Sequence, residues 1–78
     1  MTDLERLQTI MREVFDEETL IIDETASADT IASWDSFANI QLLAAVEEEF
    51  GIKFLTAEAM EVKTAADILS LIQKKRRE

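Results

Sequence analysis

The 78-residue chain contains no histidine, cysteine, proline or tyrosine, and only one glycine. Each absence excludes something. Without His or Cys there is no Ser-His-Asp relay, no cysteine nucleophile and none of the usual zinc ligand sets. No disulfide can form, and any thiol chemistry would have to arrive on an attached group. Zero proline and the lone Gly51 leave almost no turn chemistry for hairpins or a multi-strand sheet. No apolar run approaches the roughly 20 residues of a membrane span. The opening Met1-Thr2-Asp3-Leu4-Glu5 has neither the basic nor the apolar region of a secretory signal. The expectation is a cytoplasmic protein, complete from Met1 to Glu78, with no membrane partner.

What is present points to helices. Apolar residues make up 47% of the chain, too many for a disordered acidic tail. The net charge is −9, and it is unevenly placed: residues 1–70 hold sixteen acids and four bases. Such a body repels nucleic acid and steers toward basic partners. The basic run Lys74-Lys75-Arg76-Arg77 reads as cations closing a last helix, favoured by its dipole, rather than as a nucleic-acid patch. No repeat or linker-like shift divides the chain, so residues 1–78 are expected to form a single domain.

The spacing of Leu4, Leu7, Ile10, Met11, Val14 and Phe15 predicts a first helix over 3–15, capped by Thr2 or Asp3. Residues 16–34 follow as a long connection, pinned by Leu20, Ile22, Ile31 and Trp34. A second helix is predicted over 36–50, with Leu42, Val46 and Phe50 in one apolar row, Ile40 and Leu43 flanking it, and Gly51 ending it in the left-handed conformation. Thr56 would cap a short third helix through Met60. Thr64 and Asp67 form a variant capping box for a fourth, burying Ala65, Ile68, Leu69 and Ile72. The fold class is all-α: a four-helix bundle with one short helix and a long loop between the first two.

The informative stretch is Trp34-Asp35-Ser36-Phe37. Ser36 falls where the loop meets the first turn of the second helix, whose free N–H groups favour an anion beside the hydroxyl. Asp35 or Ser36 could equally be a simple helix cap. The wider pattern bears on that choice. Asp35-Ser36-Phe37, Ile40, Leu42-Leu43 and Val46-Glu47-Glu48-Glu49-Phe50-Gly51-Ile52, in that order within an acidic chain of this length, closely resembles the acyl carrier protein family.

That resemblance implies a bundle of acyl-carrier type and a carrier rather than an enzyme. Ser36 matches the serine that receives 4′-phosphopantetheine from coenzyme A, added by a separate phosphopantetheinyl transferase with Mg²⁺, which would make the chain a phosphoprotein. Asp35 matches the acidic residue beside it, read by the transferase. The arm would carry acyl groups as thioesters to the acyl-loading and acyl-processing enzymes of fatty-acid, polyketide or related biosynthesis. No metal ligand is expected, and the expected state is a monomer.

The second helix would be the docking element. Projected around its axis, Phe37, Gln41, Ala44, Ala45 and Glu48 lie away from the core row. Phe37 is a partner contact or a residue at the edge of the core. Glu47 and Glu48, in the Glu47-Glu48-Glu49 run, are a solvated face or attract basic docking surfaces at strengths that fall with salt. Trp34 reads as a half-buried anchor for the loop. The motif departs from the usual Asp-Ser-Leu at Phe37, and Ala38, Asn39 and Gln41 stand where housekeeping carriers tend to place acids. The expectation is a stand-alone carrier for a specialised pathway. Ala44, Ala45, Ala65 and Ala66 would leave room in the bundle for an acyl chain, and Phe15, Phe50 and Phe54 would fill it.

Rival readings belong to other classes. An acidic helical adaptor without a prosthetic group needs an exposed apolar groove and tolerates loss of Ser36. A divalent-cation sensor is suggested by Asp16-Glu17-Glu18 and Asp23-Glu24, but no stretch has the alternating ligands around a central Gly of an EF-hand loop. An enzyme lacks a base–nucleophile pair.

Overall fold

The computed structural model describes residues 2–76 and contains four helices: α1 (Asp3–Val14), α2 (Ser36–Phe50), α3 (Thr56–Glu61) and α4 (Ala65–Arg76). Thr2 caps α1 through a full capping box: its Oγ1 accepts the Glu5 N–H at 3.1 Å, and its own N–H donates to Glu5 Oε1 at 3.0 Å. The helix stops one residue before the expected end, at the Phe15 cap. With no glycine there, Asp16 takes the left-handed conformation (φ 55°), which a short polar side chain tolerates.

The bounds of α2 match those expected. Asp35 is its cap, with Oδ1 accepting the Ala38 N–H at 2.8 Å. Gly51 follows at φ 66°, the left-handed position where its lack of a Cβ matters. Other expectations need correction. Thr56 is the first residue of α3, not its cap; Leu55 occupies the cap position and its N–H is taken by Glu58 Oε1 at 2.8 Å. Ile40 is not on the core face but 69% exposed. At about 100° per residue it lies roughly 120° from Val46, outside the buried stripe.

The core contains Leu7 and Met11 of α1, Leu42, Leu43 and Val46 of α2, and Ala65, Ile68 and Ile72 of α4, all buried. Leu69, expected in the core, is half-buried against it. The long connection is drawn in by Ile22, Ala26, Ile31 and Trp34, which join the same cluster. Polar contacts fix its path: Arg12 Nε donates to the Leu20 carbonyl at 2.7 Å, and the Ile22 N–H donates to Gln8 Oε1 at 2.9 Å. The loop also serves α4. The Ala65 and Ala66 N–H groups, without partners inside their helix, donate to the carbonyls of Ala26 and Glu24. Asp67 Oδ2 and Thr64 Oγ1 complete the expected reciprocal box. The Cα radius of gyration of 11.4 Å matches the ~11.5 Å of 78 residues packed as one body, so the connection lies against the helices rather than trailing from them.

At the C-terminal end of α2, about 21 Å along the helix from Ser36, Phe50 lies between two guanidiniums. Arg6 sits 4.1 Å and Arg76 5.4 Å from its ring centre. Arg6 also pairs with Glu49 at 3.0 Å, and Arg76 with Asp3. Lys74, Lys75 and Arg76 close α4 as expected; Arg77, the last of the expected basic run, lies outside the described residues. No helix among the described residues is long and apolar enough to cross a membrane.

Candidate functional site

The site is built where the loop delivers Asp35 and Ser36 to the start of α2. Trp34 makes that junction rigid. It is 4% exposed, more deeply placed than the half-buried anchor expected, with its ring centre 6.3 Å from that of Phe15. Its Nε1 donates to Asn39 Oδ1 at 2.9 Å, which ties the loop to the first turn of the helix it precedes. Because Asp35 does the capping, the Ser36 hydroxyl is left exposed and makes no hydrogen bond with the described residues. The N–H groups of Ser36 and Phe37 begin the helix and have no acceptor within it. No acidic residue lies in the first turn of α2. An exposed nucleophilic oxygen therefore stands against the positive end of a 15-residue helix.

Two open clefts flank Ser36. One, of about 620 Å³, runs between α2 and α3 and is walled by Ile40, Leu43, Ala44, Leu55, Ala59 and Met60. Its volume falls within the ~300–1,000 Å³ of small-molecule sites, and its walls are mostly apolar, with Thr56 and Glu47 among them. The other, of about 610 Å³, lies toward the loop and includes Ser27, Asp29, Asp35 and Lys63. Ser36, Asn39 and Val62 border both.

The residues named from sequence fall as follows. Phe37 is 70% exposed, so of its two readings the core edge does not hold. Gln41, Ala44 and Glu48 are exposed on α2, and Ala45 is half-buried against the core. Glu47 differs from its neighbours: it is half-buried, and its Oε2 accepts the Phe54 N–H at 2.7 Å, holding the segment after Gly51 against α2. Of the residues proposed to modulate space, Ala44 and Phe54 line the apolar groove, while Ala65 is sealed in the core. The carboxylates considered for a cation do not gather: among the described residues no three potential ligands come together, and Asp23 is engaged by the N–H and hydroxyl of Thr25.

Sequence reasoning missed Ile40, Leu55 and Met60, all exposed and all on the apolar groove. The first had a signal, since Phe37, Ile40, Gln41 and Ala44 follow i, i+3, i+4, i+7 spacing on the solvent side. Leu55 and Met60 had none, because a six-residue helix gives too short a pattern to assign a face.

The far wall, α3, buries no residue fully; Ala59 packs against the edge of the core and Glu58 ties the helix to α4. Glu58 pairs with Lys75 at 2.8 Å and Lys74 at 3.3 Å, and also takes the Leu55 N–H. The Lys75 contact, then the Leu55 hydrogen bond, lower its pKa from the ordinary 4.5 to about 2 against the opposing effect of desolvation. Its folded pKa lies below the unfolded value, so its stabilising contribution is full above about pH 4.5 and is lost as pH falls toward 2. The melting temperature of Glu58→Gln should therefore lie below that of the unsubstituted chain at neutral pH, with the gap closing across that acid window. Circular dichroism melts at stepped pH measure it; a gap independent of pH would mean that the ion pairs do not hold α3.

Comparison with known proteins is consistent with this geometry. No protein-family model matches the chain. It is 34% identical over 55 residues to an acyl carrier protein of Thermosynechococcus vestitus, covering 70% of this chain and 67% of that relative. Its fold superposes with a TM-score of 0.87 on the solution NMR structure of a holo acyl carrier protein from Geobacter metallireducens, at 32% identity, covering 99% of this chain and 88% of that one.

Proposed function

The chain belongs to the acyl carrier protein family, and we propose that Ser36 is the residue through which it carries acyl groups on a 4′-phosphopantetheine arm taken from coenzyme A. Members of this family are non-catalytic carriers, and the arm supplies the thiol, held as a thioester when loaded, that this Cys-free chain lacks. The observation that carries the reading is the Ser36 hydroxyl: exposed, without a hydrogen-bond partner among the described residues, and relieved of capping by Asp35. The free N–H groups of the first turn of α2 favour the charge of a phosphodiester at that oxygen. Asp35, fixed by its bond to the Ala38 N–H, offers its other carboxylate oxygen for recognition by the phosphopantetheinyl transferase.

Enzymes that load and process the acyl group approach the face around Ser36. Phe37, Gln41 and Ala44 supply its uncharged contacts. Glu48, and Glu47 to the extent that its bond to Phe54 leaves an oxygen free, draw basic partner surfaces. With no acid in the first turn of α2 and Phe37 exposed beside Ser36, contact there is apolar. This favours dedicated partners of a polyketide, modified fatty-acid or related pathway over enzymes that dock by charge. The apolar groove between α2 and α3 is the natural shelter for an acyl chain. The carrier acts as a cytoplasmic monomer. An adaptor would also use the groove, but it gives no account of the exposed serine.

Intact-protein mass spectrometry after incubation with coenzyme A, Mg²⁺ and a broad-specificity phosphopantetheinyl transferase tests the reading. The expected result is a gain of one phosphopantetheine, assigned to Ser36 by fragmentation. No gain from a folded sample with several transferases would overturn it and favour the adaptor.

A further inference from the structure

The bases of this chain are largely committed to other work. Arg6 and Arg76 hold Phe50 and the carboxylates of Glu49 and Asp3, Arg12 bonds the Leu20 carbonyl, and Lys74 and Lys75 hold Glu58. Lys63 is different. It is exposed in the short link between α3 and α4, and its ammonium makes no ion pair with the described residues. It is also the one described base that lines either of the clefts bordering Ser36. Its position is fixed from behind, because its backbone N–H donates to Asp67 Oδ2 at 2.8 Å in the box that starts α4.

We propose that the cleft between the loop and the α3–α4 link is the seat of the phosphodiester and the inner part of the arm, with Lys63 as the cation that holds it there. The proposal rests on Ser36 being the attachment site. The chemistry of the two clefts divides the arm from its cargo. A phosphodiester followed by a hydroxyl and amides meets no cation in the α2–α3 groove, where the polar side chains beyond Ser36 and the shared Asn39 are Thr56 and the like-charged Glu47. The loop-side cleft adds the Ser27 hydroxyl and the Lys63 ammonium. Asp29 and Asp35 line the same cleft, so an anion at Ser36 meets two carboxylates as well as the helix N-terminus. Among the described residues Lys63 is the only positively charged side chain there to offset them, and an ion pair near a protein surface is stronger than one in bulk water. The unloaded arm lies on the loop side, and Asn39 and Val62, which border both clefts, form the ridge it crosses when apolar cargo enters the groove.

The test compares apo and holo forms of the full chain by ¹⁵N NMR, with ³¹P NMR of the holo form, for the unsubstituted protein, Lys63→Gln and the exposed control Lys53→Gln. Mass spectrometry first establishes attachment in each sample. On conversion to holo, amide shifts are expected at 27–29 and 62–63 as well as around Ser36. Lys63→Gln should lose those at 27–29 and move the ³¹P resonance, whereas Lys53→Gln should do neither. The ³¹P difference should also collapse at ~1 M salt, where the screening length is about 3 Å. Attachment with shifts confined to 35–37, or identical ³¹P spectra for both lysine variants, would overturn the proposal and leave the attachment reading standing. Absence of attachment would remove both.

Discussion

Replacing Ser36 by Ala is expected to abolish the mass gain completely while leaving the fold within about 0.5 kcal/mol of its original stability. The two halves of that expectation come from one arrangement. The hydroxyl is exposed and unbonded, so its removal breaks no contact, and Ala is at least as good a helix former at the first position of α2. The neighbouring residue behaves in the opposite way. Asp35 closes the Ala38 N–H at 2.8 Å, and Asp35→Ala should cost about 1 kcal/mol in the typical range of lost caps. Thermal melts and intact masses of the two variants, measured together, separate loss of the acceptor oxygen from loss of the helix end. If Ser36→Ala still gained mass, the arm would be attached elsewhere. If it unfolded, Ser36 would be a structural residue and the carrier reading would lose its main support.

The division of labour between these adjacent residues shows what sequence could resolve and what it could not. Helix bounds were legible because strong local signals agree with tertiary packing. Thr2 and Glu5 make a reciprocal box, Gly51 supplies the left-handed stop, and Leu42 and Val46 mark the buried stripe. The ambiguity between Asp35 and Ser36 as cap was not resolvable in the same way. Both side chains can accept an N–H two or three residues on, and only the geometry gives the bond to Asp35. The groove was hidden for a different reason. Its walls come from α2 and from Leu55, Ala59 and Met60, separated in sequence and adjacent only in the fold. Lys63 likewise carries no local pattern: a lone base in a three-residue link has meaning only once the loop side of Ser36 is placed beside it. Ile40 shares the apolar character of Leu43 but lies beyond the edge of the buried stripe, a limit that composition does not mark.

Trp34→Ala should be the most destabilising substitution near the site, by about 3–5 kcal/mol. At ~0.05–0.15 kcal/mol per residue, the whole stability of a 78-residue domain is about 4–12 kcal/mol, so the variant loses a large share of it and unfolds near room temperature if the domain lies at the low end of that range. The cost has two sources. The larger is the void left among Phe15 and the loop residues that share its cluster, since the ring is 4% exposed. The smaller is the Nε1 bond to Asn39. Trp34→Phe keeps most of the packing and removes that donor, and should cost about 1 kcal/mol beyond the change in ring size. Asn39→Ala removes the acceptor, and the double variant should be more stable than the sum of the two losses predicts, the mark of a shared contact. Denaturant melts followed by circular dichroism apply to all four chains, with Trp34, the only tryptophan, as a second probe where it is retained. Should Trp34→Ala lose less than about 1 kcal/mol, Ile22, Ala26 and Ile31 would be enough to hold the connection. The consequence reaches the site, because the backbone leaving Trp34 is the backbone that presents Asp35 and Ser36. In Trp34→Phe, which stays folded, attachment to Ser36 should be slowed rather than lost, since the acceptor oxygen remains and only the tie between loop and first turn is gone.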